Sequence, residues 1–201
     1  MGQRGRKKGA NGEQSRDLLL KIAAEEFARK GYYETTISTI VKRAELTQPT
    51  FYLYFRSKEE IFQELIHSFR TNLFGLVGKS RLESGIELKS LPDKIKEGLT
   101  AIFTFFMKNP NLTSIGFFIA PEAEEMKSQL ATQITDNLKS EMDEGYFQSI
   151  VDIRIVAESL VGIMERLTVT KLFTGLKGPE RLADDIVNLL LFGIISNNND
   201  R

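Results

Sequence analysis

Cysteine is absent from the 201 residues, and histidine occurs once, as His67. Those two shortages exclude disulfides, thiol chemistry, cysteine zinc sites and any Ser-His or Cys-His relay, unless His67 serves alone. A carboxylate-only enzyme stays open, although no carboxylate pair stands out from the ordinary solvated charges. Long apolar runs are missing as well. The longest candidate, residues 189–195, falls far short of the roughly 18 residues that a membrane span requires. The basic N-terminus has no apolar stretch behind it, so neither a secretory leader nor a membrane anchor is expected, and the expected compartment is the cytoplasm. No residue set calls for a metal or a cofactor.

Net charge is also lacking: 27 Lys and Arg balance 27 Asp and Glu. The balance hides a division. Residues 1–58 carry 12 basic against 6 acidic residues, and residues 59–201 carry 15 against 21. A basic N-terminal quarter on an acidic body is the pattern of a DNA-reading head joined to a domain that does not touch DNA, with chance clustering as the plain alternative.

What is present reads as helix throughout, with no strand pattern and no internal repeat. Residues 1–15 are glycine-rich, polar and basic, and are expected to form a flexible arm. Within it Arg4, Arg6, Lys7 and Lys8 either follow a DNA backbone or merely keep the chain in solution. From Arg16 a helix buries Leu19, Ile22, Ala23 and Phe27, with Gly31 as its stop. Thr36 is placed to cap a short second helix with Ile37, Ile40, Val41 and Ala44 inward. Glu45-Leu46-Thr47 breaks the chain before a third helix, Gln48 to Tyr54. Two short helices joined by a tight turn behind a bracing helix make a helix-turn-helix. Ser57 with Glu60 forms a capping box opening a long helix that turns Ile61, Phe62, Leu65, Ile66, Phe69 and Leu73 to one side.

Gly31, Thr35-Thr36, Ala44, Thr50-Phe51-Tyr52-Leu53-Tyr54-Phe55 and Ser57-Lys58-Glu59 stand at fixed spacing within about 32 residues. The stretch resembles the DNA-binding head of the TetR family of bacterial regulators. It departs at Glu45 and Pro49, where the family usually carries glycine. Glu45 would have to adopt an unfavourable conformation if the turn needs a positive φ. Leu46, Phe51, Tyr54 and Phe55 are spaced as core, which leaves Gln48, Pro49, Thr50, Tyr52 and Leu53 to face a DNA groove. Gln48 suits adenine, Pro49 a thymine methyl, and Thr50, Tyr52 and Lys58 phosphates. The resemblance assigns the tyrosine and the lysine to phosphate too. Thr36 can touch phosphate as well as cap its helix. Ser38 either reaches the groove edge or is simply solvated.

The resemblance further implies a body that binds a small molecule and dimerises through its last two helices. The fold class expected is therefore all-α: a three-helix helix-turn-helix head over residues 16–58, then a helical ligand-binding and dimerisation bundle over 59–201, about nine helices in all. The last helix is apolar on more than one side, which independently favours a homodimer. The expected interface is Val156, Leu160, Ile163, Leu167, Ile186, Leu189, Leu190 and Gly193. Five of the 14 phenylalanines fall between Phe103 and Phe118, which reads either as a dense core or as a pocket for a lipophilic effector. The pocket reading takes His67, Phe103, Phe106, Met107, Phe117, Phe118, Met126 and Met164 as its lining; His67 alone is otherwise an exposed histidine. The function that follows is a regulator, most simply a repressor, whose dimer binds a palindromic double-stranded operator under control of that effector. The alternatives are a helical ligand-binding or adaptor protein that has lost DNA binding, and an enzyme housed in the body.

Overall fold

The computed structural model describes residues 8–194, with side chains from Gly12 onward. Among the described residues every regular element is helical: α1 (Lys8–Glu34), α2 (Ile37–Arg43), α3 (Gln48–Tyr52), α4 (Lys58–Lys79), α5 (Leu91–Lys108), α6 (Pro110–Ser114), α7 (Ala123–Asp143), α8 (Ile153–Leu167) and α9 (Pro179–Val187). The all-α class and the count of nine α-helices agree with the sequence pattern. Short π-helical turns extend α6, α8 and α9. The chain divides into two compact units. Among the described residues, the first comprises 8–69 and 111–121, the second 70–110 and 122–194.

In the first unit α1, α2, α3 and the start of α4 enclose Leu19, Ala23, Phe27, Ile40, Phe51, Phe55, Ile61 and Phe62, with Ile115 from the turn after α6 packed among them. One expectation needs correcting. Helix α1 begins at Lys8, not at Arg16, so residues 8–15 are helical instead of part of an unstructured arm. Polar composition there describes a solvated helix face as well as it describes a coil. Arg4, Arg6 and Lys7 lie outside the described residues. At the other end Gly31 leaves the helical path at φ 78, ψ 172, a conformation open to glycine because it has no Cβ.

Gly116 is constrained by space rather than by torsion. A Cβ there would sit 2.1 Å from Cδ1 of Phe69, so the chain after α6 can lie on that ring only with glycine.

In the second unit α5 packs along α9, and α7 along α8. Their inward residues are Leu99, Ile102, Phe103 and Phe106 on α5, Met126, Leu130 and Ile134 on α7, Ala157, Val161 and Met164 on α8, and Leu182, Ala183, Ile186 and Val187 on α9. The loop after α4 is fastened to the end of α7. The Leu82 N–H donates to Glu141 (2.8 Å), the Ser84 hydroxyl to Glu144 (2.9 Å), and the Ile86 N–H to the Tyr146 hydroxyl (2.8 Å). That hydroxyl in turn donates to the Glu83 carbonyl at 3.0 Å. Helix α7 ends in a left-handed cap. Gly145 takes φ 86 while the N–H groups of Gly145 and Tyr146 close onto the carbonyls of Met142 and Glu141, using carbonyls that the helix end leaves without partners.

Candidate nucleic-acid interface

Helix α2 starts because Thr36 is extended and its hydroxyl accepts the Thr39 N–H at 3.2 Å, supplying one of the partners a first turn lacks. It ends in the same left-handed cap as α7. The Glu45 and Leu46 N–H groups donate to the carbonyls of Lys42 and Val41. Here, however, the left-handed position is held by Glu45, at φ 55. The turn therefore does need a positive φ, and it places a residue with a Cβ there. Thr47 then repeats the capping device for α3, its hydroxyl accepting the Thr50 N–H at 3.3 Å, with Pro49 in the first turn where its missing N–H costs nothing.

Helix α3 is anchored from below by Phe51 and Phe55, both fully buried, with Leu46 and Tyr54 partly buried beside them. Gln48, Pro49, Tyr52 and Leu53 are left outside, Tyr52 at 54% and Leu53 at 77% exposure, and Thr50 is half-buried. Thr36 and Ser38 are exposed on α2. Two short helices thus present a polar and apolar set of exposed side chains, a geometry that suits insertion into a major groove.

Charged contacts brace this head from behind. Glu26 on α1 is fully buried, yet Arg43 of α2 reaches it at 2.8 Å, as does Arg29, and Lys30 lies at 3.3 Å. Burial alone would raise the Glu26 pKa; the three cations outweigh it and hold the carboxyl below its ordinary value. Arg16 grips Glu64 of α4 with two bonds of 2.5 and 2.6 Å while lying over the Phe55 ring. Lys58 is placed differently from a free phosphate contact. Its ammonium donates to the carbonyls of Tyr32 (2.8 Å) and Thr35 (2.9 Å) and sits 4.2 Å from the centre of the Tyr32 ring. It thereby ties the start of α4 to the chain just before Thr36. The Tyr32 phenol donates to Glu59, which, with burial, pushes its pKa up to about 12 and pulls that of Glu59 down. The capping box at Ser57 is half formed: its hydroxyl accepts the Glu60 N–H at 3.1 Å, but the Glu60 carboxylate reaches the N–H of Arg56.

With this geometry in view, residues 19–65 match the model of bacterial regulatory proteins of the tetR family. Over 191 residues the chain is 44% identical to the HTH-type transcriptional regulator YdgC of Bacillus subtilis, spanning 95% of this chain and 98% of that protein. This chain belongs to the TetR family. Similarity extends, at 23% identity over 88% of this chain and 93% of the relative, to the fatty acid metabolism regulator protein of Bacillus subtilis. The fold is shared with the fatty acid degradation regulator FadR of Bacillus halodurans, at a TM-score of 0.69 and 22% identity over 94% of this chain and 98% of that one. The chain is accordingly a transcriptional regulator with a DNA-binding helix-turn-helix. No helix among the described residues is long and apolar enough to cross a membrane.

For a TetR-type body the feature of interest is a cavity, and the second unit has one of about 520 Å³. It is walled by the end of α4, by α5, α7 and α8, and by the turn after α9. Of the eight residues that the sequence suggested for a ligand pocket, only Met164 lines it. Phe103, Phe106 and Met126 are instead core, and Met107 is exposed. Phe117, half-buried Phe118 and exposed His67 belong to the other unit. The phenylalanine cluster fills space rather than enclosing it, since large flat rings pack well against one another. Residues that the sequence reading missed line the wall: Leu99, Ile134, Asn137, Glu141 and Tyr146 among them. Glu141 was visible in principle. It follows Ile134 and Leu138 at helical spacing, a carboxylate on an otherwise apolar face. Of the residues expected at a dimer interface, Ile186 is buried within its own unit, and Val156, Leu160 and Leu190 line the cavity. Ile163 and Leu167 are half-buried, while Leu189 and Gly193 are exposed.

Proposed function

We propose that the protein is a repressor whose homodimer reads a palindromic operator through Gln48, Pro49, Tyr52 and Leu53, with Thr36, Ser38, Thr50 and Lys58 at the groove edge. The observation that carries this reading is the division of α3 and the turn that follows it. Phe51 and Phe55 are fixed in the core, while the four groove-facing residues project with no core role of their own. Lys58 acts in it mainly by holding the backbone before Thr36, because its ammonium is engaged by two carbonyls.

Dimerisation is assigned to the outer sides of α8, α9 and the turns that extend them, where Ile155, Val169, Phe173 and Leu189 are exposed; apolar surface of that kind favours a partner. A C2 pair would present two α3 helices about one DNA turn apart. The effector is placed in the cavity of the second unit, whose size is ordinary for a small-molecule site and whose wall is mostly apolar. Relatives named for fatty acid metabolism and degradation support a lipophilic body for it. Release of the operator by about 100-fold requires about 2.7 kcal/mol of differential binding between the two states, an ordinary coupling energy.

The test is fluorescence anisotropy on duplexes from the region upstream of the protein's own gene. The dimer should bind an inverted repeat with affinity that falls steeply with salt. Gln48→Ala should cost about 1–3 kcal/mol at one base pair and relax preference there. Salt-insensitive association would point to a body that works without DNA, and binding indifferent to Gln48 would remove that residue from the groove-reading set.

A further inference from the structure

The wall of the cavity in the second unit carries charge of one sign. Its lining includes Glu141 and, among the described residues, no Lys, Arg or His. Glu141 is 6% exposed, and one of its oxygens accepts the Leu82 N–H at 2.8 Å. The other oxygen makes no hydrogen bond among the described residues. Burial pushes the Glu141 carboxyl above its ordinary value, opposed by the Leu82 N–H and by the guanidinium of Arg81, which is exposed and donates to Ser140.

The neighbouring polar groups have already spent their hydrogens. The Ser80 hydroxyl and an amide N–H of Asn137 both donate to the Val77 carbonyl, at 2.9 and 3.0 Å. The Tyr146 hydroxyl donates to Glu83 and accepts from Ile86. Apart from the remaining amide hydrogens of Asn137 and Gln148, this end of the cavity offers acceptors and no side-chain donors. The rest of the wall is apolar, including Leu99, Ile102, Ile134, Leu160, Met164 and Val187.

We infer that the cavity takes a lipophilic amine, with its ammonium on Glu141 and its hydrocarbon against the apolar wall. The inference rests on the reading of this cavity as an effector site and adds the chemistry of the head group. An anionic head would meet no cation in the lining and would face the Glu141 carboxyl, an unfavourable burial of like charge. An ammonium brings the donors that the second Glu141 oxygen can accept.

Titration calorimetry on the full chain with decylamine, decanol and decanoate, each below its micelle concentration, tests this. Decylamine should bind most tightly, with decanoate weaker by roughly tenfold or more, as expected for a buried charge pair against a buried like-charge pair. Glu141→Gln keeps an acceptor for the Leu82 N–H and should erase the preference for the amine, whereas Glu141→Asp should retain it; circular dichroism checks that each variant is folded. Equal or tighter binding of decanoate, or an unchanged preference in Glu141→Gln, overturns the head-group assignment while leaving the cavity as a ligand site. Binding of none of the three probes removes the cavity as an effector site, and the inference with it.

Discussion

Replacing Glu45 by glycine should stabilise the protein, although it deletes a whole side chain. Glu45 sits at φ 55 at the left-handed end of α2, where a Cβ crowds the backbone. Holding an L-residue there costs about 1–2 kcal/mol. Glycine removes that cost but brings extra freedom to the unfolded chain, worth about 0.5–1 kcal/mol against folding. The Glu45 side chain is exposed and makes no hydrogen bond or ion pair among the described residues, so nothing else is lost. The expected net gain is about 0.5–1 kcal/mol, or about 1–4 °C in Tm for a chain of this size. The same cap at the end of α7 already uses glycine, Gly145 at φ 86, so the variant copies a solution found elsewhere in the molecule. Thermal unfolding of Glu45→Gly should be compared with Glu45→Ala, which removes the charge but keeps the Cβ. The alanine variant should gain little. If alanine stabilises as much as glycine, the benefit comes from charge and the backbone argument fails; if glycine destabilises, the turn is not strained.

Other perturbations follow from the same structure. Gly116→Ala should destabilise the first unit by about 1–3 kcal/mol in denaturant titration, because the new methyl would collide with Phe69; an unchanged midpoint would mean that the ring moves aside freely. Glu26→Ala should cost about 2–3 kcal/mol, less than the loss expected when a wholly buried pair is broken, since its three cations are partly exposed and can turn to water. Because the folded-state pKa of Glu26 is lowered, its contribution is fully present above the ordinary carboxylate pKa and fades as pH falls through the lowered value. Wild type should therefore lose more stability than Glu26→Gln on acidification, and parallel pH curves would contradict this. Ultraviolet titration should find one of the five tyrosines ionising near pH 12, and Tyr32→Phe should abolish that step.

The head was legible because its signals are local. Thr36 and Ser57 cap helices through bonds spanning three residues, and the strain at Glu45 follows from which residue occupies a cap. The buried pair Phe51, on α3, and Phe55, just after it, follows from a spacing of four along the chain. The start of α1 was not legible, since a polar glycine-containing segment serves equally well as a solvated helix or as a coil. Nor was the role of the Lys58 ammonium, because its acceptors lie 26 and 23 residues earlier in the chain. The cavity was hardest to read. Whether a phenylalanine fills a core or lines a hollow depends on how α5, α7 and α8 meet, which no periodicity within one helix reveals. Ile186 illustrates the same limit. Its spacing allowed either an inner or an outer face, and packing against its own unit placed it inside.

The most direct test of the central claim is selection of genome fragments by the purified protein, run alongside Tyr52→Ala at two salt concentrations. Tyr52 is 54% exposed, so its loss should leave the fold intact. The account predicts that wild type enriches an inverted repeat, less strongly at the higher salt, and that the variant enriches little or none of it. Enrichment of the same sequence by both proteins, or of no sequence by wild type with and without decylamine, would contradict it.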